Sequence, residues 1–174
     1  ALGLGASGER LFAPTVESEI ADGEYNVTII SGDEEIYMDV TEEEAYDEIE
    51  DRLGILALRL GYKPKGMELT KVTIGEDMGE AQMEFTYGDF VLRIYENKQS
   101  KNATFETQFD GERIDSIDTF FYGGKLNIFE IDEEKDKFFL ATELEQGNAY
   151  YYITTNCNLE VFKEVVRAVF FENV

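Results

Sequence analysis

Histidine is absent from this chain, as is tryptophan, and cysteine occurs once. Without histidine the sequence lacks the commonest general base near neutral pH and the commonest metal ligand, which argues against zinc centres and histidine-assisted catalysis. The single cysteine, Cys157, permits no intramolecular disulfide and no cysteine cluster, and reads as a small buried hydrophobe. It leaves the compartment open, because secreted proteins also do without disulfides. Positive charge is scarce: 15 Lys and Arg stand against 38 Asp and Glu, a formal net charge of −23. Such a field repels phosphate backbones and anionic lipid headgroups, so nucleic acid is a disfavoured partner. A basic protein, a cationic peptide or divalent cations suit it better, although the same charge also describes a simply solvated surface. No apolar run reaches the length of about 18 residues that a membrane-spanning helix needs.

The hydrophobic complement is ample. It makes up 43% of 174 residues and includes 13 Phe and 10 Tyr, enough for one folded domain despite the charge. Ala1 to Ser7 and Gly8 are small and apolar, and residues 1–14, ending at Pro14, read as the remnant of a membrane or signal segment, leaving 15–174 as a single domain. The string Gly3-Leu4-Gly5-Ala6-Ser7-Gly8 satisfies G-x-G-x-x-G, but no strand pattern precedes it, as a dinucleotide site would require.

Tyr25 to Ile30 and Ile36 to Val40 are rich in β-branched and aromatic residues around Ser31-Gly32-Asp33, predicting a short hairpin. Thr41 followed by Glu42, Glu43 and Glu44 is a capping-box signature, with three acids at the positive end of a helix. Ala45, Ile49, Leu53, Leu56 and Leu60 then recur at helical spacing, predicting a helix that Gly54 weakens in the middle and Gly61 and Pro64 end. From Glu68 to Thr155 strand patterns dominate. Gly88, Gly111, and Gly123 with Gly124 mark tight hairpin turns, predicting an antiparallel meander. Ala81 to Tyr87 alternates apolar and polar residues, whereas Phe90 to Tyr95 and Phe138 to Ala141 are apolar on both faces and are expected to be central strands. Asn158 is a candidate N-cap for a second helix over Leu159 to Phe171, with Leu159, Phe162, Val165, Val166 and Val169 as its apolar stripe. The predicted class is α+β: an antiparallel meander sheet with an N-terminal and a C-terminal helix packed on it.

Chemistry-bearing patterns are weak. The runs Asp33 to Glu35, Glu42 to Glu44, Asp47 to Asp51 and Asp132 to Glu134 contain no calcium-loop spacing, and linear acidic runs usually form solvated faces or helix starts. Asn26-Val27-Thr28 and Asn102-Ala103-Thr104 match the glycosylation sequon, a string common by chance; the bacterial resemblance described below implies ordinary strand and loop residues. Phe105, Phe109, Phe120, Phe121, Tyr122, Phe138 and Phe139 are expected mostly in the core. Surplus aromatics on a second sheet face would instead form a groove for lipid tails or a partner segment. No catalytic, cofactor-binding or metal-ligating residue is assigned, and no cofactor is implied.

Leu60-Gly61-Tyr62-Lys63-Pro64-Lys65-Gly66-Met67-Glu68-Leu69, the Tyr87-Gly88-Asp89 turn, and the strand Tyr150 to Ile153 running into Leu159-Glu160-Val161-Phe162 together resemble bacterial domain of unknown function family 4367. The resemblance covers about 53–171. Lys63 and Lys65 stand where a hydrophobic and an acidic residue are frequent, and tryptophan is missing. The arrangement is similar, more distantly, to the C-terminal domain of periplasmic sigma-regulator proteins. Family members commonly form the extracytoplasmic end of membrane-anchored Firmicute proteins, sometimes beside lipoprotein-carrier-like or anti-sigma-type modules. The resemblance therefore implies an extracytoplasmic, membrane-anchored location, with the membrane reached only through the N-terminal segment. It also implies a non-enzymatic binding or sensory role toward an unknown protein or envelope ligand. A lipid-binding carrier-like module is the alternative, and a carboxylate-dependent hydrolase a more remote one. The resemblance transfers no functional residues.

Overall fold

The computed structural model describes residues 25–31, 34–98, 111–133 and 138–172. The chain opens with a hairpin, β1 (Tyr25–Ser31) and β2 (Glu34–Val40), followed by α1 (Glu42–Leu53). The short β3 (Arg59–Leu60) precedes three long strands, β4 (Met67–Gly75), β5 (Glu80–Tyr87) and β6 (Phe90–Asn97). Then come β7 (Gly111–Asp118), β8 (Lys125–Glu133), β9 (Phe138–Gln146), β10 (Ala149–Thr155), α2 (Leu159–Arg167) and β11 (Val169–Phe170).

The expected α+β class with two helices on a mainly antiparallel sheet is present, but the strand order is not a plain meander. Among the described residues nine strands run in the order β2-β1-β4-β5-β6-β10-β9-β8-β7. β4-β5-β6 and β7-β8-β9-β10 are each meanders, and they join where β10 pairs antiparallel with β6, with Ile153 opposite Ile94. β1 lies parallel to β4, with Ile29 opposite Ile74, so the chain from β2 through α1 and β3 forms a crossover. Hairpin signals specify only neighbours in sequence. The β6–β10 seam lies between segments far apart in the chain, beyond the reach of local turn chemistry.

Along each strand, alternation sends one set of side chains under the helices. Ile29, Ile74, Met83, Phe85, Leu92, Ile94, Tyr151, Ile153, Leu144 and Ile128 share one core with Ile49 and Leu53 of α1 and Phe162, Val165 and Val166 of α2. Both helices thus cover the same face. On the opposite face Ile131, Phe138 and Ala141 form a smaller cluster, with Val91, Phe129 and Tyr152 packed against it. β6 and β9 are both interior strands, as their two-sided apolar sequences predicted.

The helix boundaries differ from expectation. Thr41 caps α1 through a full capping box, its hydroxyl accepting from Glu44 N–H at 3.2 Å and the Glu44 carboxylate accepting from Thr41 N–H at 2.9 Å. The helix does not continue to Leu60, however. Gly54 ends it in a left-handed conformation (φ 73°), its N–H donating to the Glu50 carbonyl, which satisfies one of the last free carbonyls. Leu56 to Leu60 are extended chain and strand. At the other end, Asn158 caps α2 as expected, its side chain accepting from Val161 N–H at 2.9 Å. That helix stops at Arg167 rather than Phe171, and Val169 and Phe170 form a strand pairing with Leu60 and Arg59. β-branched and aromatic residues carry either pattern over so short a run, and the partner strand decides.

Of the turn glycines, Gly88 and Gly123 adopt positive φ as predicted, at 63° and 91°. Gly111 does not; it is the first residue of β7. Phe109 and Asp110 lie outside the described residues, as do residues 1–14, Asn102 to Thr104 and Phe105.

Candidate functional site

The structure brings together a set of residues that the sequence did not single out as a site. On the face away from the helices a cavity of about 290 Å³ is lined by Tyr122, Lys125, Asn127, Phe129, Glu143, Leu144, Glu145 and Tyr150. Strand registry explains the grouping. Glu143, Glu145 and Gln146 follow one another along β9 as it leaves the core, and alternation places Glu143 and Glu145 on the same side of the sheet. Tyr150 stands opposite Glu145, and Tyr152 opposite Glu143. Tyr152 in turn stands opposite Tyr95, their ring centroids 5.8 Å apart.

Polar contacts hold the lining. The Tyr150 hydroxyl donates to the Glu143 carboxylate, so Tyr150 can be almost wholly buried with its polar tip satisfied. The Tyr122 hydroxyl donates to the Glu145 carbonyl at 2.7 Å, tying the β7–β8 turn to the cavity rim. Lys125 is turned to Asp118 on the edge strand, Nζ to Oδ1 2.8 Å, and that pairing holds the Asp118 carboxyl below its usual range. The same turn is anchored to the helical side, because Phe120 N–H donates to the Arg167 carbonyl at 2.9 Å.

The aromatics expected mostly in the core divide. Phe138 is buried, while Phe120, Phe121 and Phe139 are exposed. Phe121 packs edge-on against both Phe120 and Phe170. Cys157 is buried, and burial raises its thiol pKa, which fits the inert hydrophobe read from the sequence. Among the described residues no group of three or more Cys, Asp and Glu converges as a metal cage. The acidic run Glu42 to Glu44 is spent on structure. Glu44 closes the capping box, Glu42 accepts from Lys63 and Tyr46, and Glu43 accepts from Arg59. No described helix is long and apolar enough to cross a membrane.

Residues 57–169 match the family described as Domain of unknown function (DUF4367). The chain belongs to the DUF4367 family. The matched region begins in the extended chain before β3 and ends at the first residue of β11, so it takes in β4 to β10, α2 and the whole cavity lining. No curated protein and no solved structure gives a match. The initial hairpin and α1 lie upstream of the matched segment although they share its core.

Proposed function

We propose that this DUF4367 domain is a non-enzymatic, extracytoplasmic binding domain of a membrane-anchored regulator. Its ligand surface is the outward sheet face around the 290 Å³ cavity, and its ligand is a cationic segment of a partner protein. The observation that carries this reading is the composition of the lining: two carboxylates, Glu143 and Glu145, beside the rings of Tyr122, Phe129 and Tyr150, on a chain of net charge −23. Carboxylates satisfy a Lys or Arg head while aromatic faces attract the cation and cover its stem. The family resemblance supports the location.

Lipid carriage is less well supported by this cavity, since an acyl chain would desolvate Lys125, Asn127 and two glutamates without giving them hydrogen bonds. Hydrolysis would need a carboxylate pair with one member held protonated beside a substrate cleft. In the cavity the Glu143 carboxylate instead accepts the Tyr150 hydroxyl, a contact that supports a binding surface.

Calorimetric titration with a lysine- and arginine-rich peptide, at low and at physiological salt, tests the reading. The Glu143→Gln/Glu145→Gln variant should bind at least tenfold more weakly, whereas Glu68→Gln/Glu112→Gln, the same charge change at exposed positions, should bind like the parent. Equal losses in both variants would reduce the interaction to bulk charge. Recovery of a stoichiometric lipid by solvent extraction would favour the carrier reading instead.

A further inference from the structure

On the helix-covered face, well away from the cavity, Glu96 of β6 is completely buried. It stands between Ala81 of β5 and Tyr151 of β10. Above it passes the irregular segment 56–58, which links α1 to β3 and whose Ala57 and Leu58 are themselves fully buried. A buried segment without a strand partner must find its hydrogen bonds elsewhere. Here side chains from three elements supply them. The Tyr151 hydroxyl donates to the Leu56 carbonyl at 2.5 Å, Glu50 of α1 accepts from Ala57 N–H at 3.0 Å, and Glu96 accepts from Leu58 N–H at 3.0 Å.

The Glu96 contact uses only Oε1. Among the described residues Oε2 is buried without a hydrogen-bond partner, and so is Nε of the neighbouring Arg59. The Arg59 guanidinium is already committed to three other carboxylates: Glu43 at 2.5 Å, Glu50 at 3.5 Å and Glu172 at 3.7 Å. It also lies over the ring of Tyr46, the guanidinium carbon 4.7 Å from the ring centroid. Lys63, the next buried cation, is paired with Glu42. The groups facing Glu96 are therefore Glu50 and Tyr46 from α1, Arg59 from β3 and Tyr151 from β10, and they hold no surplus positive charge. A charged Glu96 would be an extra buried anion with one oxygen unsolvated.

We propose that Glu96 and the strap it holds, residues 56–58, form a pH-responsive clasp: the strap is docked while Glu96 is neutral and loosens from the sheet when Glu96 ionises. Loosening the strap also frees β3 and, through its pairing, β11 at the end of α2. Burial above all, reinforced by Glu50 and only partly offset by the Leu58 N–H and Arg59, pushes the Glu96 carboxyl up to about 8. Because this folded value lies above the ordinary one near 4.5, the stabilisation is complete below about pH 4.5 and is lost as pH rises toward about 8. The chain contains no histidine, the residue whose ordinary pKa lies nearest the neutral range. The clasp is independent of the proposed ligand surface.

Thermal unfolding and amide hydrogen exchange at pH 6 and pH 8.5 test it on the whole chain. The wild type should lose several degrees of melting temperature, together with protection at Ala57 and Leu58, on going to the higher pH. Glu96→Gln, which keeps the shape and cannot ionise, should hold both. An equal loss in Glu96→Gln, or no loss in the wild type, overturns the clasp. If Glu96→Gln does not fold, carbon-13 detection of the glutamate carboxyls in the wild type decides the matter. One resonance titrating above pH 7 sustains the proposal, and none between pH 6 and 9 overturns it.

Discussion

Asn156 and Val91 exchange two hydrogen bonds: the Asn156 side-chain oxygen accepts from Val91 N–H at 2.8 Å, and Asn156 N–H donates to the Val91 carbonyl at 3.3 Å. The side chain extends the β6–β10 seam just past the end of β10, where Thr155 pairs with Leu92 as the last backbone register. The Val91 carbonyl also receives the Thr155 hydroxyl at 2.7 Å, and that hydroxyl accepts from Cys157 N–H at 3.0 Å. One short turn thus fastens the seam between the two meanders and sets the start of α2.

Asn156→Ala should therefore lower stability by about 1 kcal/mol, the usual worth of one hydrogen bond at a half-buried site. Asn156→Asp keeps the accepting oxygen and should recover part of the loss. Urea unfolding midpoints measure both. A neutral Asn156→Ala would mean that the seam does not depend on this contact.

Two glycines near the crossover should respond differently to alanine. At Gly61 a Cβ would lie 2.6 Å from the Ala168 carbonyl oxygen and 3.3 Å from the Phe121 ring, in a buried site where the backbone on one side cannot yield. Gly61→Ala should cost about 3 kcal/mol, as overpacking does. At Gly54 a Cβ meets nothing within 4 Å, and the penalty comes only from its left-handed φ of 73°, roughly 1–2 kcal/mol. Reversal of that order in thermal melts would contradict the close approach of β3 to the end of α2.

Lys63 and Glu42 form a largely buried ion pair, Nζ to Oε1 2.5 Å, with side-chain exposures of 4% and 12%. Removing one partner by Lys63→Met leaves Glu42, among the described residues, with the Tyr46 hydroxyl at 2.8 Å and should cost about 3 kcal/mol. Replacing both, as Lys63→Met/Glu42→Met, should restore much of that loss, because the stranded charge goes with its partner. A double-mutant cycle by chemical denaturation gives the coupling. Additive losses would show that the pair is not coupled.

The departure noted at Lys63 thus has a structural explanation. The lysine is buried with its head on Glu42 and lies 5.7 Å over the ring of Phe85, an arrangement that an extended loop passing over a helix start permits. The cavity had a weaker signal. Tyr150 entered only through the family resemblance, and nothing local says that Glu143 and Glu145 of β9 would stand beside Lys125 and Asn127 of another strand.

Elements whose specification is local were legible in the residues. Thr41 and Glu44 are three residues apart and cap a helix wherever it packs; Asn158 does the same for α2; Gly88 supplies positive φ in the tight turn between β5 and β6, and Gly123 in the loop between β7 and β8. Alternation in Ala81 to Tyr87 follows from the two-residue repeat of a strand, and the net charge is simple arithmetic. Which strands are neighbours is set by long-range packing, because an alternating segment pairs equally well with many others until the whole core is assembled. That assembly put β10 between β6 and β9, turned the expected end of α1 into a buried strap, and drew Val169 and Phe170 out of a helix into a strand. It also placed Glu96, just beyond the two-sided apolar run Phe90 to Tyr95, beneath the 56–58 strap, where it is completely buried.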